Sequence, residues 1–144
     1  MTNETPTCGY CAGPDALAKV LLKIADLPHS AVYLNRNQLH RGRCVVALRE
    51  HKTEYFQLGK EENAGFFADV ALVAKVLFEL FAPQKINYAT FGDLVPHAHV
   101  HIVPKYADGP QWGAPFQDEP KKFLEDSEYR ELIGRIKKEL EKGS

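Results

Sequence analysis

His97-Ala98-His99-Val100-His101-Ile102-Val103 is the stretch on which the fold of this chain turns. In an extended strand, successive side chains point to opposite faces, so His97, His99 and His101 share one face and Ala98, Val100 and Ile102 share the other. The apolar set has the β-branched character of a core-facing strand. The other face carries half of the chain's six histidines within roughly 14 Å, at about 3.4 Å per residue. Three imidazoles in a row pack poorly and would repel one another if protonated. Their use is chemical: nucleophile, proton carrier or metal ligand. A solvated strand face with incidental histidines is the plainer alternative, and the clustering argues against it.

The neighbouring segments give this strand partners. Ile86–Phe91 alternates as a strand, Gly92-Asp93 turns, and Val95–Val103 returns until Pro104 ends it. Glu61–Ala82 predicts a long helix, with Phe66, Phe67, Val70, Val73, Ala74, Leu77, Phe78 and Phe81 at helical spacing and Pro83 as the stop. Cys44–Leu48 reads as a buried strand. Val20–Ala25 is compatible with helix or strand, and the turn signal Asp26-Leu27-Pro28-His29 before Ala31–Leu34 favours a hairpin. Residues 1–13 are irregular, Asp15–Ala18 a helical turn, 35–42 a polar loop, and 107–120 a long loop rich in glycine and proline. A last helix over Ser127–Lys142 carries Leu132, Ile133, Ile136 and Leu140 on one stripe and is weakened by Gly134. With no repeat and no linker, these elements predict one α+β domain over residues 1–144, built on an antiparallel sheet.

At 144 residues, 44% hydrophobic and 26% charged, the chain has the composition of an ordinary globular protein able to bury a core. Its net charge of −1 offers no general attraction to a nucleic-acid polymer or an anionic membrane. Any phosphate chemistry must arise from a local site. The apolar stretch 65–82 is interrupted by Asp69, Lys75 and Glu79, which makes it a core helix and not a membrane span. The N-terminus lacks the pattern of a secretory signal, so the expected location is cytoplasmic. Of three cysteines, two form Cys8-x-x-Cys11; in such a chain this favours metal or redox chemistry over a disulfide framework. Two thiolates do not make a metal site on their own. Cys44, in an apolar run, reads as a core thiol.

The run His97-Ala-His99-Val-His101-Ile102-Val103 resembles the signature of the histidine triad (HIT) superfamily, in which three histidines alternate with apolar residues. The likeness extends upstream through Leu34-Asn35-Arg36, Arg41-Gly42-Arg43 and Val45–His51, and covers roughly residues 8–116. It implies a HIT-like α+β fold, with about five antiparallel strands, one long helix and a C-terminal helix, usually assembled as a two-fold homodimer. Residues 1–13 would form a Cys-x-x-Cys zinc segment and 117–144 a helical extension. The resemblance assigns His99 as the nucleophile that attacks the α-phosphorus of a nucleotide and forms a nucleotidyl-histidine. It assigns His101 to phosphate binding and proton transfer.

Zinc-bearing relatives, including the galactose-1-phosphate uridylyltransferase branch, complete an N-terminal Cys-x-x-Cys with two histidines. Cys8, Cys11, His51 and His97 match that arrangement. Four protein ligands leave no open position, so the implied zinc (Zn2+) is structural. The likeness further implies ribose contact for Asn35 and phosphate contact for Asn87. Trp112 matches a tryptophan found in this loop in a bacterial and archaeal branch, where it would cap a base or a dimer interface. Each of the three also has an ordinary loop or strand-edge role open to it.

Two features depart from the family pattern. Gly92-Asp93-Leu94-Val95-Pro96-His97 stands where relatives often carry Gly-Gln-Ser/Thr-Val-x-His, and Leu94 has no side-chain donor for phosphate. Gln38-Leu-His40-Arg41-Gly42-Arg43 lacks the frequent Pro-x-x-x-Gly-His. Arg43 is expected to be solvated, and His29 and His40 to lie at the surface. The leading expectation is a hydrolase of dinucleoside polyphosphates. A nucleoside phosphoramidase, a nucleotidyltransferase and a non-catalytic nucleotide-binding or interaction module are the alternatives.

Overall fold

The computed structural model describes residues 8–143. Five antiparallel strands, β1 (Leu21–Leu27), β2 (Ser30–Asn35), β3 (Cys44–Leu48), β4 (Lys85–Ala89) and β5 (His99–Lys105), form one sheet in the order β1-β2-β3-β5-β4. Ahead of the sheet stand two single-turn helices, α1 (Gly9–Ala12) and α2 (Pro14–Leu17); α3 (Lys60–Phe81) and α4 (Asp126–Gly143) are long. Val20–Ala25 thus resolves as strand, paired to β2 across the two-residue turn Pro28-His29. The HIT-like α+β architecture and its five-strand sheet agree with expectation. No helix among the described residues is long and apolar enough to cross a membrane.

The sheet has two chemically distinct faces. On one, Val32, Leu34, Cys44, Val46, Val100 and Ile102 pack against Phe66, Val70, Val73 and Leu77 of α3 and Leu132, Ile136 and Leu140 of α4. The other face carries a small cluster of Leu21, Tyr33, Val45 and Ala47, with Tyr10 and Leu17 laid on it. Because Ala47 pairs with His99 and Val45 with His101, the histidines stand on this second face. The alternation read from sequence therefore sends Val100 and Ile102 to the core and the imidazoles away from it.

Several boundaries and burials differ from expectation. β5 begins at His99, not Val95, because His97 N–H donates to the Val95 carbonyl and turns the chain just before the strand. It also runs through Pro104 to Lys105. Pairing to β3 ends at Ile102, so the missing N–H of Pro104 interrupts no ladder on that side. β4 stops at Ala89, two residues short of Phe91. The Cys-x-x-Cys is mounted on the helical turn α1, not on irregular chain. On α3, Phe67 and Phe78 are exposed while Val76 is buried, because the helix meets the sheet along a narrower stripe than its phenylalanines span.

Two contacts fix α3 against the hairpin. Asp69, buried on the helix, accepts from His29 N–H at 2.9 Å and from Ser30 Oγ at 2.8 Å. At Gly65 a Cβ would stand 2.2 Å from the His29 ring, so only glycine lets helix and turn approach this closely. His29 is accordingly half-buried, not a surface residue.

Candidate active site and metal centre

The approach of α1 to the start of β5 gathers four metal-ligating side chains. Cys8 Sγ lies 3.4 Å from His97 Nδ1, and Cys11 Sγ lies 3.2 Å from His51 Nδ1 and 3.7 Å from His97 Nδ1. The two Nδ1 atoms are 3.1 Å apart, and all four ligand atoms fall within 4.8 Å of one another. A tetrahedral zinc, with bonds of about 2.0–2.1 Å to nitrogen and about 2.3 Å to sulfur, sets its ligands roughly 3.3–3.8 Å apart. The donor set and its spacing fit that ion. The His97 ring is also oriented for it: Nε2 donates to the Leu48 carbonyl at 2.7 Å, leaving the Nδ1 lone pair turned to the cluster. Burial first, then the neighbouring His51 and His99, lowers the His97 pKa and keeps that lone pair free.

His99 is arranged differently. Its Nδ1–H donates to the His97 carbonyl at 2.5 Å, which fixes the tautomer and leaves Nε2 with the lone pair. Burial lowers its pKa, so the ring is neutral near pH 7 and a competent nucleophile. The ring borders a cavity of about 570 Å³ whose walls are predominantly apolar, with Asn35, His101 and Arg43 among the polar groups that line it. Tyr10, between the two cysteines of α1, packs its ring 5.1 Å from His97 and 5.2 Å from His99 and also lines this cavity. The turn that carries the two cysteines thus supplies one wall of this cavity.

At the far end of the row, His101 Nδ1 lies 3.4 Å from Arg43 Nη2. A guanidinium only donates, so Nδ1 accepts, and the neutral ring carries its proton on Nε2. Burial, then the Arg43 and His99 charges, holds the His101 pKa down to about 3. Arg43 is 2% exposed, not solvated: its side chain lies over the Phe116 ring and reaches Asp118 Oδ1 at 3.0 Å. His40 is buried too, with Nε2 2.9 Å from Gln111 Oε1 and its ring edge-on to Phe116. Both corrections share a cause. The loop after β5 folds back over His40 and Arg43 and covers both.

The sequence-derived residues fall into three groups. Cys8, Cys11, His51 and His97 converge on one cluster that could hold a metal ion. His99, His101 and Asn35 line the cavity, where Asn35 Oδ1 also accepts from Asn37 N–H at 2.9 Å. Asn87 and Trp112 stand outside it, together with Lys85 and Lys105 on a separate open groove. Leu94 is at the cavity rim and almost wholly exposed. Tyr10, Phe91, Asp118 and Phe123 line the cavity without having been singled out from sequence. Only Tyr10 had a local signal, its place between the two cysteines.

Comparison with known proteins agrees with this geometry. The chain is 26% identical over 132 residues to an uncharacterized HIT-like protein of Mycoplasma genitalium, covering 87% of this chain and 92% of the relative. Its fold is similar to that of a Zn-bound histidine triad family protein from Mycobacterium smegmatis (TM-score 0.66, 20% identity, 94% of each chain covered). It is also similar to a Plasmodium falciparum diadenosine triphosphate hydrolase solved with cyclomarin A (TM-score 0.65, 18% identity, covering 83% of this chain and 76% of that one). The sequence model of the HIT domain matches residues 21–108, from the first strand of the sheet to just past the triad. The chain belongs to the HIT domain family.

Proposed function

We propose that this protein is a nucleotide hydrolase that acts at an α-phosphorus through a covalent intermediate on His99, with dinucleoside polyphosphates as its substrates. One observation carries the proposal: the His99 ring lines the cavity while its Nδ1–H is held by the His97 carbonyl. That hydrogen bond aims Nε2 as a neutral nucleophile and favours the imidazolium character that develops as Nε2 bonds to phosphorus. As the N–P bond forms, the P–O bond to the remaining phosphates breaks and the leaving group takes the electron pair. Water then attacks the same phosphorus, releasing a nucleoside monophosphate and free His99. His101, with its Nε2–H, donates to a phosphate oxygen and relays the proton. Asn35 binds the ribose.

Cys8, Cys11, His51 and His97 would hold a zinc ion that braces α1 and the start of β5. With four protein ligands, its contribution is structural. Asn87 and Trp112, beyond the Phe91–Phe116 ring pair, would meet only the distal nucleoside of a dinucleoside substrate. The proposal includes a two-fold homodimer, supported by the exposed apolar surface of Phe67, Ala71 and Tyr88 beside the edge strand β4. It also includes a cytoplasmic location, where reducing conditions keep the metal-ligating cysteines as thiols.

The test is a panel of diadenosine polyphosphates, adenosine phosphoramidate and nucleotide-plus-acceptor pairs, with rapid quenching and mass spectrometry. Turnover with a nucleotidyl adduct on His99 is expected, fastest on the diadenosine compounds. Absence of both adduct and turnover across the panel would eliminate the enzyme and leave a nucleotide-binding module. Faster transfer to phosphate or to a sugar phosphate than to water would make it a nucleotidyltransferase.

A further inference from the structure

Arg43 and Asp118 form an ion pair whose two halves are held very differently. The Arg43 backbone is pinned three ways: its N–H donates to the His40 carbonyl, and its carbonyl accepts from Asn35 N–H at 3.0 Å and from Gln38 Nε2 at 3.2 Å. Its side chain, 3% exposed, is sandwiched between Phe116 and the sheet face that carries His101. Gly42 sets the approach: its φ is +89°, and a Cβ there would stand 2.7 Å from the Phe81 ring. The cation therefore has nowhere else to go. Arg43 Nε is moreover buried without a hydrogen-bond partner, the one such side-chain atom among the described residues. A buried guanidinium with an unused donor is costly unless an acceptor comes to it.

Asp118 is the opposite case. Its backbone carbonyl is tied by Asn37 Nδ2 at 2.9 Å, but its side chain is 70% exposed. The carboxylate can swing into solvent by rotating about χ1 while the backbone stays in place. Arg43, Asp118, His99 and His101 all line the same cavity. A fixed, incompletely satisfied arginine that faces this cavity, with the His101 ring nitrogen and a solvated carboxylate against it, is suited to an anion that presents two oxygens, which phosphate offers as readily as carboxylate.

We propose that Arg43 is the anion-holding group of this cavity, taking a substrate phosphate beyond the one His99 attacks, and that the Asp118 carboxylate occupies its place until the phosphate displaces it. The assignment rests on the nucleotide chemistry proposed above. It supplies buried positive charge in a cavity that Lys19, Arg36 and Lys121 also line, in a chain whose net charge of −1 gives no general attraction to a polyphosphate. It also makes the loop after β5 a determinant of affinity, because that loop brings both Phe116 and Asp118 to Arg43.

The experiment measures binding of inorganic pyrophosphate to the full chain purified with its metal, by calorimetry, with adenosine as the phosphate-free control. Asp118→Asn removes the resident competitor from an exposed position and should tighten pyrophosphate binding by about fivefold, a span typical of a partly exposed ion pair. Adenosine binding should stay within about twofold. Adding Arg43→Gln to that variant should abolish the gain. If the double variant does not fold, Arg43→Lys in its place, which keeps the charge and loses the fork, should lose most of it. Unchanged or weaker pyrophosphate binding in Asp118→Asn, or a gain that survives loss of the guanidinium, overturns the proposal. The two proposals fail separately. A His99 adduct with no effect of Asp118→Asn removes the anion site alone, whereas tighter pyrophosphate binding with no adduct removes the hydrolase and leaves the anion site standing.

Discussion

His97 and His101 are four residues apart on the same side of the sheet, yet they are held by unlike surroundings. His97 is locked from both nitrogens, by the Leu48 carbonyl on one and by the thiols and His51 on the other. His101 touches one arginine at 3.4 Å, and that arginine's partner is an exposed aspartate. Between them, His99 has one nitrogen committed to backbone and one left over. On the function proposed above, a row of identical side chains would divide into a brace, a nucleophile and a phosphate donor according to what each ring nitrogen finds. The inner end of the row is built for permanence and the outer end for exchange.

The comparison can be broken most severely in the middle. His99→Ala should lower kcat by about 10⁴-fold or more, as removal of a nucleophile does in other covalent mechanisms, with an unchanged circular dichroism spectrum. Near-normal turnover would show that the exchangeable end does the chemistry without it. At the permanent end, the protein should purify with about one zinc per chain, the complement of a closed four-ligand site. Cys8→Ser should lower both the zinc content and the melting temperature, the latter by roughly 10 °C, as a loss of a few kcal/mol does in a domain of this size. Retention of the wild-type melting temperature by metal-free protein would remove the distinction between the two ends.

The outer end carries a pH signature of definite sign. His101 titrates at about 3 in the folded chain against an ordinary 6.5, so as pH falls the unfolded chain takes up its proton first. Its contribution to stability is therefore complete above about pH 6.5 and is lost progressively between there and about 3. Urea unfolding between pH 7 and 5 should show an acid slope that is shallower in His101→Asn, by up to about 1 kcal/mol per pH unit. Parallel slopes would mean that the ring is charged in the folded protein. The smallest effect lies in the loop beyond β5. Trp112→Ala should raise KM for diadenosine tetraphosphate about threefold, within the value of one stacked base, and leave that for adenosine phosphoramidate unchanged. An equal rise for both would bring Trp112 into the nearer cavity.

What could be read without coordinates follows from how local each cause is. The alternation at 97–103 carries its own evidence, because two-residue periodicity decides which side chains meet the core. The long helix was legible for the same reason, although Phe67 and Phe78 are as apolar as their buried neighbours and only the width of the sheet contact leaves them exposed. The burial of Arg43 and His40 has no local sign, because nothing near them in sequence buries them. Their cover is Phe116 and Gln111, some seventy residues later, in a loop whose glycines and prolines announce irregularity but not direction. Asn87 and Trp112 likewise share a groove that only the pairing of β4 with β5 brings into being.

Tyr10 joins the two halves of the molecule's chemistry. Its ring rests on both His97 and His99 and is carried by the same helical turn as the two thiols. If zinc holds that turn and the nucleotide occupies the cavity, as proposed, stripping the ion would free not only a brace but one side of that chamber. Catalysis should therefore fade under chelators at temperatures where the sheet and its two long helices are still intact, making zinc supply a dial on turnover and not merely a guard against unfolding.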